Sequence, residues 1–161
     1  MPRNIQRQAA EQSLAPALRL GSAIVEDVRE ARQWIEPVAA RLAAGAASRR
    51  DVARLHQLMA AHEHAVRQGE DTAAVRDREF HRGVADCTGN SAIAVIVKAL
   101  VDIDRVEATA AVGDCAERVG ARDVYAHRRI AEAIERGDAD GAADLMHQHL
   151  SPGVQPVVRV A

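Results

Sequence analysis

Aromatic residues are nearly missing from this 161-residue chain: they make up 2% of it, as Trp34, Phe80 and Tyr125. Strands of a sandwich or barrel draw on aromatic and β-branched residues for their half-buried faces, so this poverty argues against an all-β fold. There are only two cysteines, Cys87 and Cys115, without a CxxC spacing and without a secretory leader ahead of them. They are expected to be free thiols in a reducing cytoplasm. No apolar run approaches the roughly 20 residues needed to cross a bilayer; the best, Ala92 to Val97, stops at Lys98. Excess positive charge is lacking as well. Lys and Arg number 21 against 23 Asp and Glu, and the net charge is −2. No basic face is present to neutralise phosphates, which excludes a nucleic-acid surface of the usual kind.

Apolar residues account for 48% of the chain, mostly small ones, and their spacing is helical. Val28, Ala31, Ile35, Val38, Leu42 and Ala46 recur at three and four, predicting a helix from Val25 to about Ala47. Ser48 and Asp51 resemble a capping box that opens a second helix running to Gly69. A third is predicted from Asp71 to Cys87. Thr88-Gly89-Asn90 then turns the chain, and Asn90 caps a fourth, very apolar helix from Ser91 to about Val112. Gly113 and Gly120 bracket a stretch without clear pattern. Val124, Ala131 and Ile134 mark a fifth helix ending at Gly137, and Asp138 caps a sixth that closes at Ser151-Pro152-Gly153. The expected fold is all-α: an antiparallel, up-and-down bundle of about six to seven helices with short connections. Residues 1–22 read as a leader or linker, 23–152 as one helical domain and 153–161 as a tail.

Four polar residues lie on stripes that should face the core. Asp77 and His81 are spaced i, i+4 and share a face with Ala73, Ala74, Val84 and Thr88. His127 sits three after Val124 and four before Ala131, and His149 sits three after Met146 and four after Leu145. A buried carboxylate is costly unless paired, and a buried neutral imidazole needs a partner at both nitrogens. One shared divalent ion would satisfy all four residues. Three imidazoles and a carboxylate suit Zn²⁺, Ni²⁺, Fe²⁺ or Mn²⁺ better than Ca²⁺ or Mg²⁺. The competing reading is core packing: His62 also falls on its helix's apolar stripe, and Asp77 with His81 can be an internal ion pair. No further inward Asp or Glu is apparent beside the four.

Four stretches in this order resemble the FadR C-terminal effector domain (FCD) of GntR-type bacterial transcription regulators. They are Arg32-Gln33-Trp34-Ile35-Glu36-Pro37, Asp77-Arg78-Glu79-Phe80-His81 with Thr88-Gly89-Asn90, His127-Arg128-Arg129-Ile130, and Met146-His147-Gln148-His149-Leu150. The resemblance covers about Val25 to Leu150. It implies a divalent metal, zinc first among candidates, held by Asp77, His81, His127 and His149. It also implies a small carboxylate effector, with Arg32 and Asn90 as candidate ligand-binding residues, and a homodimer. Arg32 can instead pair with Glu36 four residues on, and Asn90 can act purely as a cap. Residues 1–22 are too few for the winged helix such regulators carry, so the chain as it stands is expected not to contact DNA. The rival readings are a metal-dependent enzyme acting on a small organic acid and a bundle with a purely structural metal.

Overall fold

The computed structural model of the chain describes residues 25–103 and 114–151. The leader over 1–22, the tail over 153–161 and the stretch of the predicted fourth helix beyond Ile103 lie outside these described residues. Those residues form six α-helices: α1 Val25–Ala46, α2 Arg49–Gln68, α3 Ala73–Asp86, α4 Ser91–Ile103, α5 Asp114–Glu135 and α6 Ala139–Leu150. No strand occurs among the described residues, and no helix there is long and apolar enough to cross a membrane. The all-α bundle expected from periodicity is what the chain forms.

Local sequence explains most boundaries. Ser48 Oγ accepts from the Asp51 amide at 3.2 Å while Asp51 Oδ2 accepts from the Ser48 amide at 2.9 Å. The capping box is therefore reciprocal and satisfies two donors that the first turn of α2 leaves open. Gly69, in the left-handed region at φ 63°, ends α2, a conformation that costs glycine little. Asn90 Oδ1 accepts from the amides of Ala92 and Ile93 at the start of α4, and Asp138 Oδ1 accepts from Gly141 at the start of α6.

One boundary differs from expectation. Gly120 does not delimit a loop: α5 runs straight through it from Asp114. A Cβ at this position would stand 3.0 Å from Val66 Cγ1, so the glycine lets α5 lie close against α2. That packing outweighs the roughly 1 kcal/mol of helix propensity a glycine forfeits.

Chain order does not set all the neighbours. α1 packs most broadly against α6, the last helix, and also against α4. Alanines at 39, 40 and 43 are buried along α1 and permit that approach. Pro37 lies inside α1 and has no amide to give the carbonyl of Gln33. That carbonyl faces His147 Nδ1 at 3.5 Å, and Gln33 Nε2 donates to the Leu150 carbonyl at 3.0 Å, so the irregular turn of α1 is joined to the end of α6. The main core gathers Leu55, Phe80, Val84, Ile130, Ile134 and Met146 from four helices. Burying each such side chain contributes about 1.5–3 kcal/mol. A second cluster, including Ala85, Val97 and Val101, fills the space between α1, α3 and α4. Among the described residues, Arg32, Glu36, His62, His81 and His127 are buried polar groups, and they gather at the site described next.

Candidate metal centre

Three helices converge their histidines on one point. α3 supplies His81, α5 supplies His127 and α6 supplies His149, and the three Nε2 atoms stand 3.2–3.3 Å from one another. Asp77, one turn before His81, places Oδ1 3.5 Å from His127 Nε2. One ligand atom from each of the four residues lies within 4.8 Å of every other. The sequence had brought these residues only to the same side of their own helices; the fold brings them together.

The donor set fits a metal. Imidazole nitrogens bound to one zinc at about 2.0–2.1 Å in tetrahedral directions are separated by about 3.3 Å, the spacing found here. Three nitrogens packed this closely cannot all be satisfied by one another, because each has a single in-plane site at Nε2. Burial, reinforced by the neighbouring His81, depresses the His149 ring to about 3, and burial with His149 and His81 close by drives His127 well below its ordinary value. Both rings are thus neutral at pH 7, the state in which imidazole donates to a metal. Phe80 stacks on His127 with ring centroids 4.1 Å apart and fixes its orientation.

The outward nitrogens of His81 and His127 are also engaged. His81 Nδ1 lies 2.5 Å from Glu36 Oε2, and Arg32 Nε donates to Glu36 Oε1 at 2.5 Å. Burial opposes the charge on Glu36, but Arg32 and His81 outweigh it and hold the carboxyl down at about 2. Burial likewise opposes a charge on His81, and Glu36 outweighs it, raising the ring. His127 Nδ1 meets His62 Nδ1 at 3.1 Å. His149 Nδ1 faces Asp123 Oδ1 at 3.7 Å.

These contacts correct the expectation that no further acid points inward. Glu36 is 1% exposed, and Asp123 lines the site with its carboxyl pushed up to about 7 by burial and by Asp77. Asp123 precedes His127 by four residues, the same spacing as Asp77 to His81. That repeated spacing was the available signal. In the sequence Glu36 shows only as a partner for Arg32, four residues away, and His62 only as a residue on an apolar stripe.

A cavity of about 190 Å³ opens onto the cluster, lined by Arg29, Arg32, Asp77, His81, Asp123, His149 and Leu150. Arg32 both lines the cavity and pairs with Glu36, so the two readings of this residue coexist. Asn90 is not brought to the cavity; it caps α4.

No curated protein sequence matches the chain. Among solved structures, the GntR protein of Streptococcus agalactiae is similar, with a TM-score of 0.65 and 25% identity over 78% of this chain and 55% of that one. The chain thus spans about half the length of that protein. The FCD domain family matches residues 27–152, an interval that contains every residue of the site. With most of its length matched, the chain belongs to the FCD domain family.

Proposed function

We propose that this chain is the effector-sensing domain of a GntR-type transcription regulator, holding a divalent transition metal, zinc foremost, through Asp77, His81, His127 and His149. A small carboxylate is its effector. The observation that carries this reading is the convergence of four donor atoms within 4.8 Å at the wall of a cavity that also carries Arg29 and Arg32. The metal, when bound, supplies a Lewis acid for an acidic ligand's oxygen. Burial keeps His127 and His149 neutral and ready to donate, and Glu36 orients both Arg32 and His81. Arg32 offers a planar guanidinium suited to a second carboxylate group.

The cavity is bounded by α1 through Arg29 and Arg32 and by α6 through His149 and Leu150. These two helices also pack most broadly on each other. An occupant that prefers one arrangement of α1 against α6 shifts the population toward it, which is how such a domain reports to a partner. The domain acts as a homodimer in the cytoplasm.

The test is elemental analysis of untagged protein, comparing the parent with His127→Ala, followed by thermal shift of the metal-loaded parent with di- and hydroxycarboxylates. About one ion per chain, lost in the variant, and a shift that Arg32→Ala diminishes, is the expected result. A parent that takes up no Zn²⁺, Ni²⁺ or Mn²⁺ and responds to no acid would sink the reading.

Asp123 favours a second reading. A carboxyl raised to about 7 beside the donors is suited to acid–base work, so a metal-dependent enzyme acting on a small organic acid has the proton carrier that the sequence seemed to lack. Loss of the acid on incubation with stoichiometric metal-loaded protein, abolished by Asp123→Asn, would favour it over the sensor.

A further inference from the structure

Glu36 belongs to none of the groups that line the cavity, yet it touches both kinds of residue that do. Its carboxylate is buried behind the site at 1% exposure and bridges two helices: Oε1 takes Nε–H of Arg32 on α1, and Oε2 meets Nδ1 of His81 on α3, each at 2.5 Å. A carboxylate that accepts at both oxygens has no proton of its own to give, so the proton on the second contact sits on His81 Nδ1. The neutral His81 ring then carries its lone pair on Nε2, the atom that stands 3.3 Å from Nε2 of His127 and of His149.

We propose that Glu36 is the positioning residue of the metal centre: pinned by Arg32, it fixes His81 in the tautomer whose Nε2 lone pair faces the other donors. This inference rests on the metal-site reading above and deepens it. Outer carboxylates that receive a ligand histidine's second N–H orient the ring and raise its basicity. What is particular here is the role of Arg32. Because Arg32 claims Oε1, the two ends of the Glu36 side chain are not interchangeable. In Glu36→Gln the amide oxygen stays with Arg32 and the amide NH₂ is turned onto His81 Nδ1. Nδ1 must then accept, the proton moves to Nε2, and the donor atom of the centre is blocked without any change of shape. Removing Arg32's claim in the same background, by Arg32→Met, frees the amide to turn over, present its oxygen to Nδ1 and restore the original tautomer.

Two readouts test this, one of which needs no metal. The position of the proton on the His81 ring is read by ¹⁵N NMR of the metal-free protein at a pH high enough to leave this ring, which Glu36 raises, neutral. Affinity for Co²⁺ is read from its visible absorption during titration. The parent should show Nδ1–H. Glu36→Gln, with unchanged circular dichroism, should show Nε2–H and bind Co²⁺ about 10–100-fold more weakly. Glu36→Gln with Arg32→Met should regain Nδ1–H and part of the affinity. A merely structural role for Glu36 would not move the proton or be mended by removing a second residue. Equal Co²⁺ affinity in the parent and Glu36→Gln would overturn the role of Glu36 while leaving the metal site standing. If the parent binds no Co²⁺, the metal reading fails on its own, and the proton position still decides whether Glu36 sets the tautomer. Should Glu36→Gln not fold, the parent spectrum decides: Nε2–H there would overturn the inference.

Discussion

His62 and His127 face each other Nδ1 to Nδ1 at 3.1 Å across the contact of α2 with α5, both almost fully buried. Such a contact is a hydrogen bond only when one of the two nitrogens carries a proton and the other does not. If His127 is to present an unprotonated Nε2 to the other donors, its proton lies on Nδ1 and His62 is the acceptor.

Replacing His62 with Leu therefore takes an acceptor away from a ring that is 0% exposed. We expect a loss of about 1–3 kcal/mol in urea denaturation of the metal-free domain, the cost of an unsatisfied buried donor. Metal affinity should fall by about 10-fold or more, because the outer partner of a ligand histidine is missing. Equal Co²⁺ binding and equal urea midpoints in parent and variant would show that the pair contributes only packing.

How much of this site was legible depends on where the information resides. Asp77 with His81 was visible because both lie on one helix, where a spacing of four fixes a shared face. His127 and His149 were visible as polar residues on apolar stripes. The contacts of Glu36 with His81 and of His62 with His127 join different helices. They depend on how α1 sits on α3 and α2 on α5, and periodicity within one helix carries no information about that register. Asp123 is the exception, since its spacing to His127 was there to be read.

The place of Gly120 is hidden in the sequence for a related reason: a glycine within a helix looks like a break until its neighbour is known. Because a Cβ there would press on Val66 at 3.0 and 3.1 Å, Gly120→Ala sets a helix-propensity gain of about 1 kcal/mol against overpacking of about 1–3 kcal/mol. Val66 is β-branched and turns with difficulty, so the clash should win and the thermal midpoint should fall. In a Val66→Ala background the same change should become neutral or stabilising. A stabilised Gly120→Ala in the parent would mean that α2 yields without cost.

Cys87 offers a chemical probe of the core. Its thiol donates to the Gly83 carbonyl at 3.1 Å, and burial, with Asp51 and Asp86 adding to it, pushes the thiol up to about 12. The thiolate is the reactive form. In the native domain at pH 8 the Cys87 peptide should stay unmodified by iodoacetamide for hours, and it should label within minutes in concentrated urea. Fast native labelling, followed by mass spectrometry of the digest, would contradict the packing of α3 against the main core.

Asp51 supplies a pH dependence whose sign can be worked out. The hydrogen bonds it receives from the Ser48 side chain and amide favour its charged form and lower its carboxyl from the ordinary 3.8. The folded state therefore binds this proton less readily than the unfolded chain does. Its contribution to stability is complete above the unfolded value and is lost as pH falls through the lower folded one. Asp51→Asn should thus be less stable than the parent at pH 7. The gap should be at most about 1 kcal/mol, because the group is largely exposed and solvent screens it. Between pH 4 and pH 3 the urea midpoints of parent and variant should draw together, since protonation then removes the charge in the parent too. A gap that stays constant down to pH 3 would mean that the capping box works through neutral hydrogen bonding alone.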